Sequence, residues 1–124
     1  MTTVLIADDE ANLRLLAAAT VAVEDCDVLE AADGDEAWSI ILQHRPEVAI
    51  LDVQMPGRTG LEINRAIRAD PSLAKVRIVI LTSKARPTDI TAGMEAGADL
   101  YLTKPFLPIE LLTAVEQAIN RSVV

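Results

Sequence analysis

The chain has 124 residues and a formal net charge of −8; 51% of it is hydrophobic, yet it holds only one Phe, one Trp and one Tyr. That length suits a single domain spanning residues 1–124, burying roughly two-thirds of its unfolded surface in a core of Ala, Leu, Ile and Val. The acidity argues against direct nucleic-acid binding, which needs a basic footprint. The lone Cys26 forbids an internal disulfide and fits a reducing cytoplasm, and the absence of a leader pattern or a run of ~20 apolar residues argues against secretion or a membrane span.

Apolar runs alternate with helical patterns from end to end. Val4-Leu5-Ile6 predicts a first strand, followed by a helix with Leu13, Leu16, Ala17 and Thr20 at helical spacing. Asp27 to Ala32 is more polar and reads as an edge strand. Gly34 and Asp35 mark a turn, and Ala37, Ile40 and Ile41 line a second helix that ends before Pro46, with His44 and Arg45 near its dipole's negative end. Trp38 on that helix reads as packing. A third strand runs through Val48-Ala49-Ile50-Leu51 to Asp52, and Met55-Pro56-Gly57 breaks the chain. Thr59-Gly60-Leu61-Glu62 has capping-box spacing and opens a third helix, with Ile63, Ala66 and Ile67 inward, which Asp70-Pro71 stops. The fourth strand spans Arg77 to Thr82. A short fourth helix after Pro87 turns Ile90 and Met94 inward; its interior Gly93 costs ~1 kcal/mol against Ala, and Gly97 ends it. Leu100-Tyr101-Leu102 form a fifth strand ending at Lys104-Pro105. Pro108 begins a last helix whose inner face carries Leu111, Leu112, Val115, Ala118 and Ile119. The expected fold is α/β: a (βα)5 doubly wound, five-stranded parallel sheet of order 2-1-3-4-5 with helices on both faces.

Asp8-Asp9, Asp52, Thr82 and Lys104 each stand where a strand ends. Taken singly, these are ordinary: Asp8 or Asp9 suits a helix N-cap, Asp52 a turn, Thr82 a strand end and Lys104 a solvated terminus. Jointly, they fall at the carboxyl ends of adjacent strands, where open parallel sheets bind ligands. Carboxylates within ~4 Å repel by several kcal/mol per pair at an effective dielectric of 20, which favours an intervening cation. Oxygen-only donors, with His44 and Cys26 in other segments, point to Mg²⁺ over zinc, with Mn²⁺ as a substitute. A lysine and a hydroxyl suit phosphoryl oxygens, and a carboxylate such as Asp52 can act as nucleophile in forming an aspartyl phosphate.

Asp8-Asp9, Asp52 with Met55-Pro56-Gly57, Gly60, Thr82-Ser83, Gly97-Ala98-Asp99, Tyr101 and Lys104-Pro105-Phe106 together resemble the receiver domain of two-component response regulators over nearly the full chain. The resemblance implies that Asp52 accepts a phosphoryl group from a phosphohistidine on a sensor histidine kinase or histidine phosphotransfer protein. It implies that Asp9 and Asp52 hold Mg²⁺ directly, that Asp8 acts through water, and that Gln54 contributes its backbone carbonyl. It further implies that Thr82 and Lys104 contact phosphoryl oxygens and that Lys104-Pro105 is cis. The implied output is a switch: Thr82 moves toward the new charge of about −1.5 to −2, Tyr101 turns inward, and the surface of helix four, strand five and helix five changes for a downstream protein partner. On this resemblance the protein is a cytoplasmic signalling phosphoacceptor with intrinsic self-phosphorylation and slow autodephosphorylation, not an enzyme. It is either a stand-alone regulator or a receiver separated from a longer chain.

Two positions that tune phosphoryl lifetime in such domains hold Gln54 and Lys84, long side chains able to shade Asp52 from water. Leu100 stands where the branch with winged-helix DNA-binding domains carries an acidic residue; with Leu107 and Ile109 it suggests a more apolar partner surface. Three rivals fit less well. A haloacid-dehalogenase-type phosphohydrolase needs a second Asp where Gln54 stands. An FMN-binding flavodoxin would face repulsion from Asp8-Asp9-Glu10. An inactive interaction module would not need the full set of polar residues.

Overall fold

The computed structural model describes residues 2–22, 26–83 and 87–123, the last three through their backbone alone. Five strands and five helices alternate: β1 (Thr2–Ala7), α1 (Ala11–Val21), β2 (Cys26–Ala31), α2 (Gly34–His44), β3 (Val48–Asp52), α3 (Gly60–Ala69), β4 (Arg77–Thr82), α4 (Pro87–Glu95), β5 (Leu100–Thr103) and α5 (Pro108–Val123). All pairings are parallel and the order is β2-β1-β3-β4-β5. This is the expected doubly wound sheet, with the polar β2 at one edge and β5 at the other.

Side-chain alternation along the strands explains why the sheet is covered twice. Val4, Ile6, Val48, Ile50, Val79 and Leu81 point to one face, where they meet Ala17 and Val21 of α1 and Leu111, Val115 and Ala118 of α5. Their neighbours Leu5, Ala7, Ala49, Leu51, Ile78 and Ile80 point to the other, against Ala37 and Ile41 of α2 and Ile63 and Ile67 of α3. A strand buried on both faces needs a continuous apolar run, which is what β1, β3 and β4 carry. The local stop signals also act as read. Thr59 and Glu62 form a reciprocal capping box at the start of α3, and Asp70 accepts from the Ser72 backbone in the 3-10 turn at Pro71–Leu73.

One inward assignment, that of Met94, is corrected, and Leu16, read only at helical spacing, lies outside the buried stripe. Leu16 is 49% exposed, because the buried stripe of α1 is the narrow Ala17–Val21 line against α5. Met94 is also exposed: the position of α4 that faces the sheet is Gly93, over which the Tyr101 ring lies. A Cβ at Gly93 would come within 3.2 Å of Tyr101 Cε2, so the glycine that weakens the helix also makes room for the ring. Asn64, which the apolar pattern passed over, is fully buried on α3 and donates its side-chain amide to Gly93 O at 3.2 Å.

Candidate functional site

The sheet's carboxyl rim is assembled by strand register. Asp52, the last residue of β3, pairs with Leu81, and Thr82, the last of β4, pairs with Thr103. Backbone bonds carry each ladder one residue further: Asp8 N to Ala31 O at 3.1 Å, Val53 N to Leu81 O at 3.0 Å and Lys104 N to Thr82 O at 2.7 Å. Asp8, Asp52, Thr82 and Lys104 are therefore fixed by the sheet itself, not by loop conformation. The Lys104-Pro105 peptide is cis, as the resemblance implied.

Carboxylate oxygens of Asp8, Asp9 and Asp52 lie within 4.8 Å of one another. Asp8 and Asp52 are buried, while Asp9 faces solvent. Neither Asp8 nor Asp9 caps α1; Glu10 holds that position without a side-chain bond. Instead, Asp8 Oδ1 accepts from Glu10 N at 2.9 Å, which holds the carboxylate toward the rim. Arg14, which sequence reasoning missed, donates to Asp8 O at 2.8 Å and pairs with Glu30 at 3.3 Å, tying the β1–α1 junction to β2. Lys104 Nζ bridges the buried pair, 2.7 Å from Asp8 Oδ2 and 3.1 Å from Asp52 Oδ2. The first contact is an ion pair by distance but leaves Asp8 Oδ2 without a well-angled hydrogen bond. Gln54 is exposed, and its backbone N–H lies 3.4 Å from Asp52 Oδ1.

Burial pushes the Asp52 carboxyl above its ordinary range, and the Asp8 charge adds to this; the Lys104 ammonium pulls the other way without reversing it. For Lys104, burial alone would lower the pKa, but bonds and charge from Asp8 and Asp52 hold it above its usual value. One lysine thus neutralises two buried carboxylates, leaving the group short of positive charge. Hard oxygen donors in that state fit Mg²⁺: oxygens of one octahedral shell lie at most about 4.2 Å apart, so small side-chain adjustments bring Asp9 and Asp52 onto one ion with Asp8 close enough to act through water. Tyr101 is partly covered; burial raises its phenol, and a hydrogen bond with Thr82 lowers it. The switch residues named from sequence are thus in direct contact.

Residues 4–116 match the response regulator receiver domain. The chain belongs to that family. PhoB, the phosphate regulon transcriptional regulatory protein of Pseudomonas aeruginosa, is 34% identical over 120 residues, covering 97% of this chain and 52% of PhoB. The DNA-binding response regulator MtrA of Mycobacterium tuberculosis is 35% identical over 119 residues, or 96% of this chain and 51% of MtrA. Among solved structures, the chemotaxis response regulator CheY4 of Vibrio cholerae superposes with a TM-score of 0.89 at 34% identity, covering 95% of this chain and 98% of CheY4. The Francisella response regulator 1452 receiver domain gives 0.91 at 27% identity, covering 98% of this chain and 99% of that one.

The receiver domain spans about half the length of the curated relatives it matches. This overturns the expectation, drawn from net charge, that the protein has no nucleic-acid partner, because MtrA is named a DNA-binding regulator. Net charge describes only the stretch of chain over which it is summed, and that stretch is about half of MtrA. Among the described residues no helix is long and apolar enough to cross a membrane. Lys84 lies outside the described residues. Leu107 and Ile109 are exposed, and Leu100 is half-buried.

Proposed function

We propose that this receiver domain takes a phosphoryl group onto Asp52 from a phosphohistidine of a sensor histidine kinase or phosphotransfer protein in the cytoplasm. A carboxylate oxygen of Asp52 attacks phosphorus, the P–N bond breaks, and its electron pair leaves with the imidazole, giving an aspartyl phosphate. Asp9 and Asp52 directly, Asp8 through water, and the Gln54 backbone carbonyl would hold Mg²⁺, or Mn²⁺ in its place. When bound, that ion screens the negative charge that builds up between carboxylate and phosphoryl oxygens. Lys104 Nζ, already at the rim, neutralises phosphoryl oxygens. The Thr82 hydroxyl donates to another phosphoryl oxygen and so gives up its bond with Tyr101, whose ring lies against Gly93 of α4. The new charge thereby biases the α4-β5-α5 surface, through which the output is read. The domain is a phosphoacceptor that assists its own modification and slow hydrolysis, not a turnover enzyme.

The observation that carries this reading is the buried Asp52 carboxylate, held against Asp8 by a single lysine at the rim of the sheet. Acetyl phosphate with Mg²⁺ should add one phosphoryl group by intact mass to the wild type and none to Asp52→Asn. Labelling of the variant, or none of the wild type under the same conditions, would refute it.

A further inference from the structure

We infer that the first turn of α2 is a positioning element for the loop that carries the Gln54 carbonyl, and that Gly34 is the residue on which it depends. This rests on the assignment of that carbonyl to Mg²⁺ above. The loop, residues 53–59, is anchored at its ends by Val53 N to Leu81 O and by Gly60 N to Val53 O. Its middle leans on α2. Gly34 N donates to Pro56 O at 2.9 Å. A Cβ on Gly34 would stand 1.7 Å from Arg58 O and 2.7 Å from Arg58 N, so backbone meets backbone with no room for a side chain.

The next residues of each segment continue the contact. Gly57 turns with φ of 77°, and a Cβ there would lie 2.7 Å from Asp35 Oδ2. The Arg58 guanidinium lies 3.6 Å from Asp35 Oδ1 and 5.7 Å from the centre of the Trp38 ring. Pro56 is therefore bonded to Gly34, Gly57 lies close against Asp35, and Arg58 reaches both Asp35 and Trp38. Between this clamp and Gln54 stands only Met55, itself buried, so a displacement of residues 56–58 reaches the Gln54 carbonyl with little slack. Mg²⁺ demands oxygens at about 2.0–2.1 Å in near-ideal octahedral geometry, so an ångström-scale shift of one ligand weakens binding. A single methyl on Gly34 imposes such a shift, since a contact at 1.7 Å must open to at least 3.0 Å.

Gly34, Asp35 and Trp38 touch no phosphoryl or metal atom in this scheme and act only through the loop. The test is Mg²⁺ affinity, measured calorimetrically and by backbone amide shifts, of wild type, Gly34→Ala and Arg58→Ala, alongside their unfolding midpoints. Gly34→Ala should weaken Mg²⁺ binding roughly tenfold or more, as loss of a supporting contact at a metal site does. Arg58→Ala, which removes only the exposed clasp on Asp35 and Trp38, should weaken it by roughly threefold. Metal-free shift changes in Gly34→Ala should be largest at residues 53–59. A purely structural glycine would lower the unfolding midpoint and leave the affinity of the folded protein unchanged, which overturns the inference. If Gly34→Ala gives no dispersed spectrum, Arg58→Ala decides, and wild-type affinity there overturns it equally. Failure of the wild type itself to bind Mg²⁺ would remove the functional reading together with the inference, whereas wild-type binding with unaffected variants removes the inference alone.

Discussion

Replacing Asp52 by Asn separates the electrostatics of the site from its chemistry. Asp52 is 6% exposed, and carboxylate oxygens of Asp8 and Asp9 come within 4.8 Å of its own. Unit charges at that distance repel by about 3.5 kcal/mol at an effective dielectric of 20, whereas an ammonium 3.1 Å away attracts by about 5 kcal/mol on the same scale. Burial is the largest cost of ionising Asp52, repulsion from the Asp8 carboxylate adds to it, and the lysine offsets only part of the two. The carboxyl accordingly sits above its ordinary value of 3.8. A folded state that binds this proton more tightly than the unfolded state loses stability as pH rises from 3.8 through the raised value. Asparagine has no such loss. Near neutral pH without metal, Asp52→Asn should therefore be more stable than wild type by about 1 kcal/mol, or ~3–5 °C in Tm, and the gap should close toward about pH 4. Added Mg²⁺ should raise the wild-type midpoint well above its metal-free value and move the variant little. Thermal unfolding followed by circular dichroism, with EDTA or with Mg²⁺ across pH, measures both effects. A variant less stable than wild type in EDTA at neutral pH, or an equal Mg²⁺ gain in both proteins, would refute the reasoning.

Lys104→Met removes the only charge that bridges Asp8 and Asp52 among the described residues, and should cost about 3 kcal/mol without metal. Mg²⁺ should recover much of that loss in urea titrations; indifference to the ion would argue against a cation site. Asn64→Ala should cost only about 1 kcal/mol, because Gly93 O keeps its bond from Ala98 N at 3.2 Å. Amide exchange should accelerate in α4 and leave α1 unchanged, and uniform acceleration would contradict a local role for Asn64.

Much of the fold is legible because its signals are local. Both-face burial writes itself into β1, β3 and β4 as unbroken apolar runs, and Arg77–Thr82 is bounded in the sequence as it is in the structure. Thr59 with Glu62 announces the start of α3, since a capping box needs only residues three apart. Local patterns fall short where the packing partner lies far away in sequence. Leu16 and Met94 have helical spacing, but which side of a helix is covered depends on where α5 and β5 come to rest. Arg68 shows the same limit: it donates to Gly97 O, Val76 O and Asp99 Oδ2, holding the end of α4 to α3 and β4, and no local pattern marks it.

The sequence by itself determined the order and type of the elements and the polar residues at the ends of β1, β3, β4 and β5, because periodicity, caps and breakers act within a few residues. From the same residues it named Asp8, Asp9, Asp52, Thr82 and Lys104 as the polar set of the rim. Only the tertiary structure decided that Lys104 spans Asp8 and Asp52, that Asp8 is buried while Asp9 faces solvent, and that Gly34 lies flush against the backbone of Arg58. Those facts depend on strand register and on how closely α2 approaches the β3–α3 loop. They are distances between segments far apart in the chain, and ångströms at the rim decide whether a set of oxygens can share one ion.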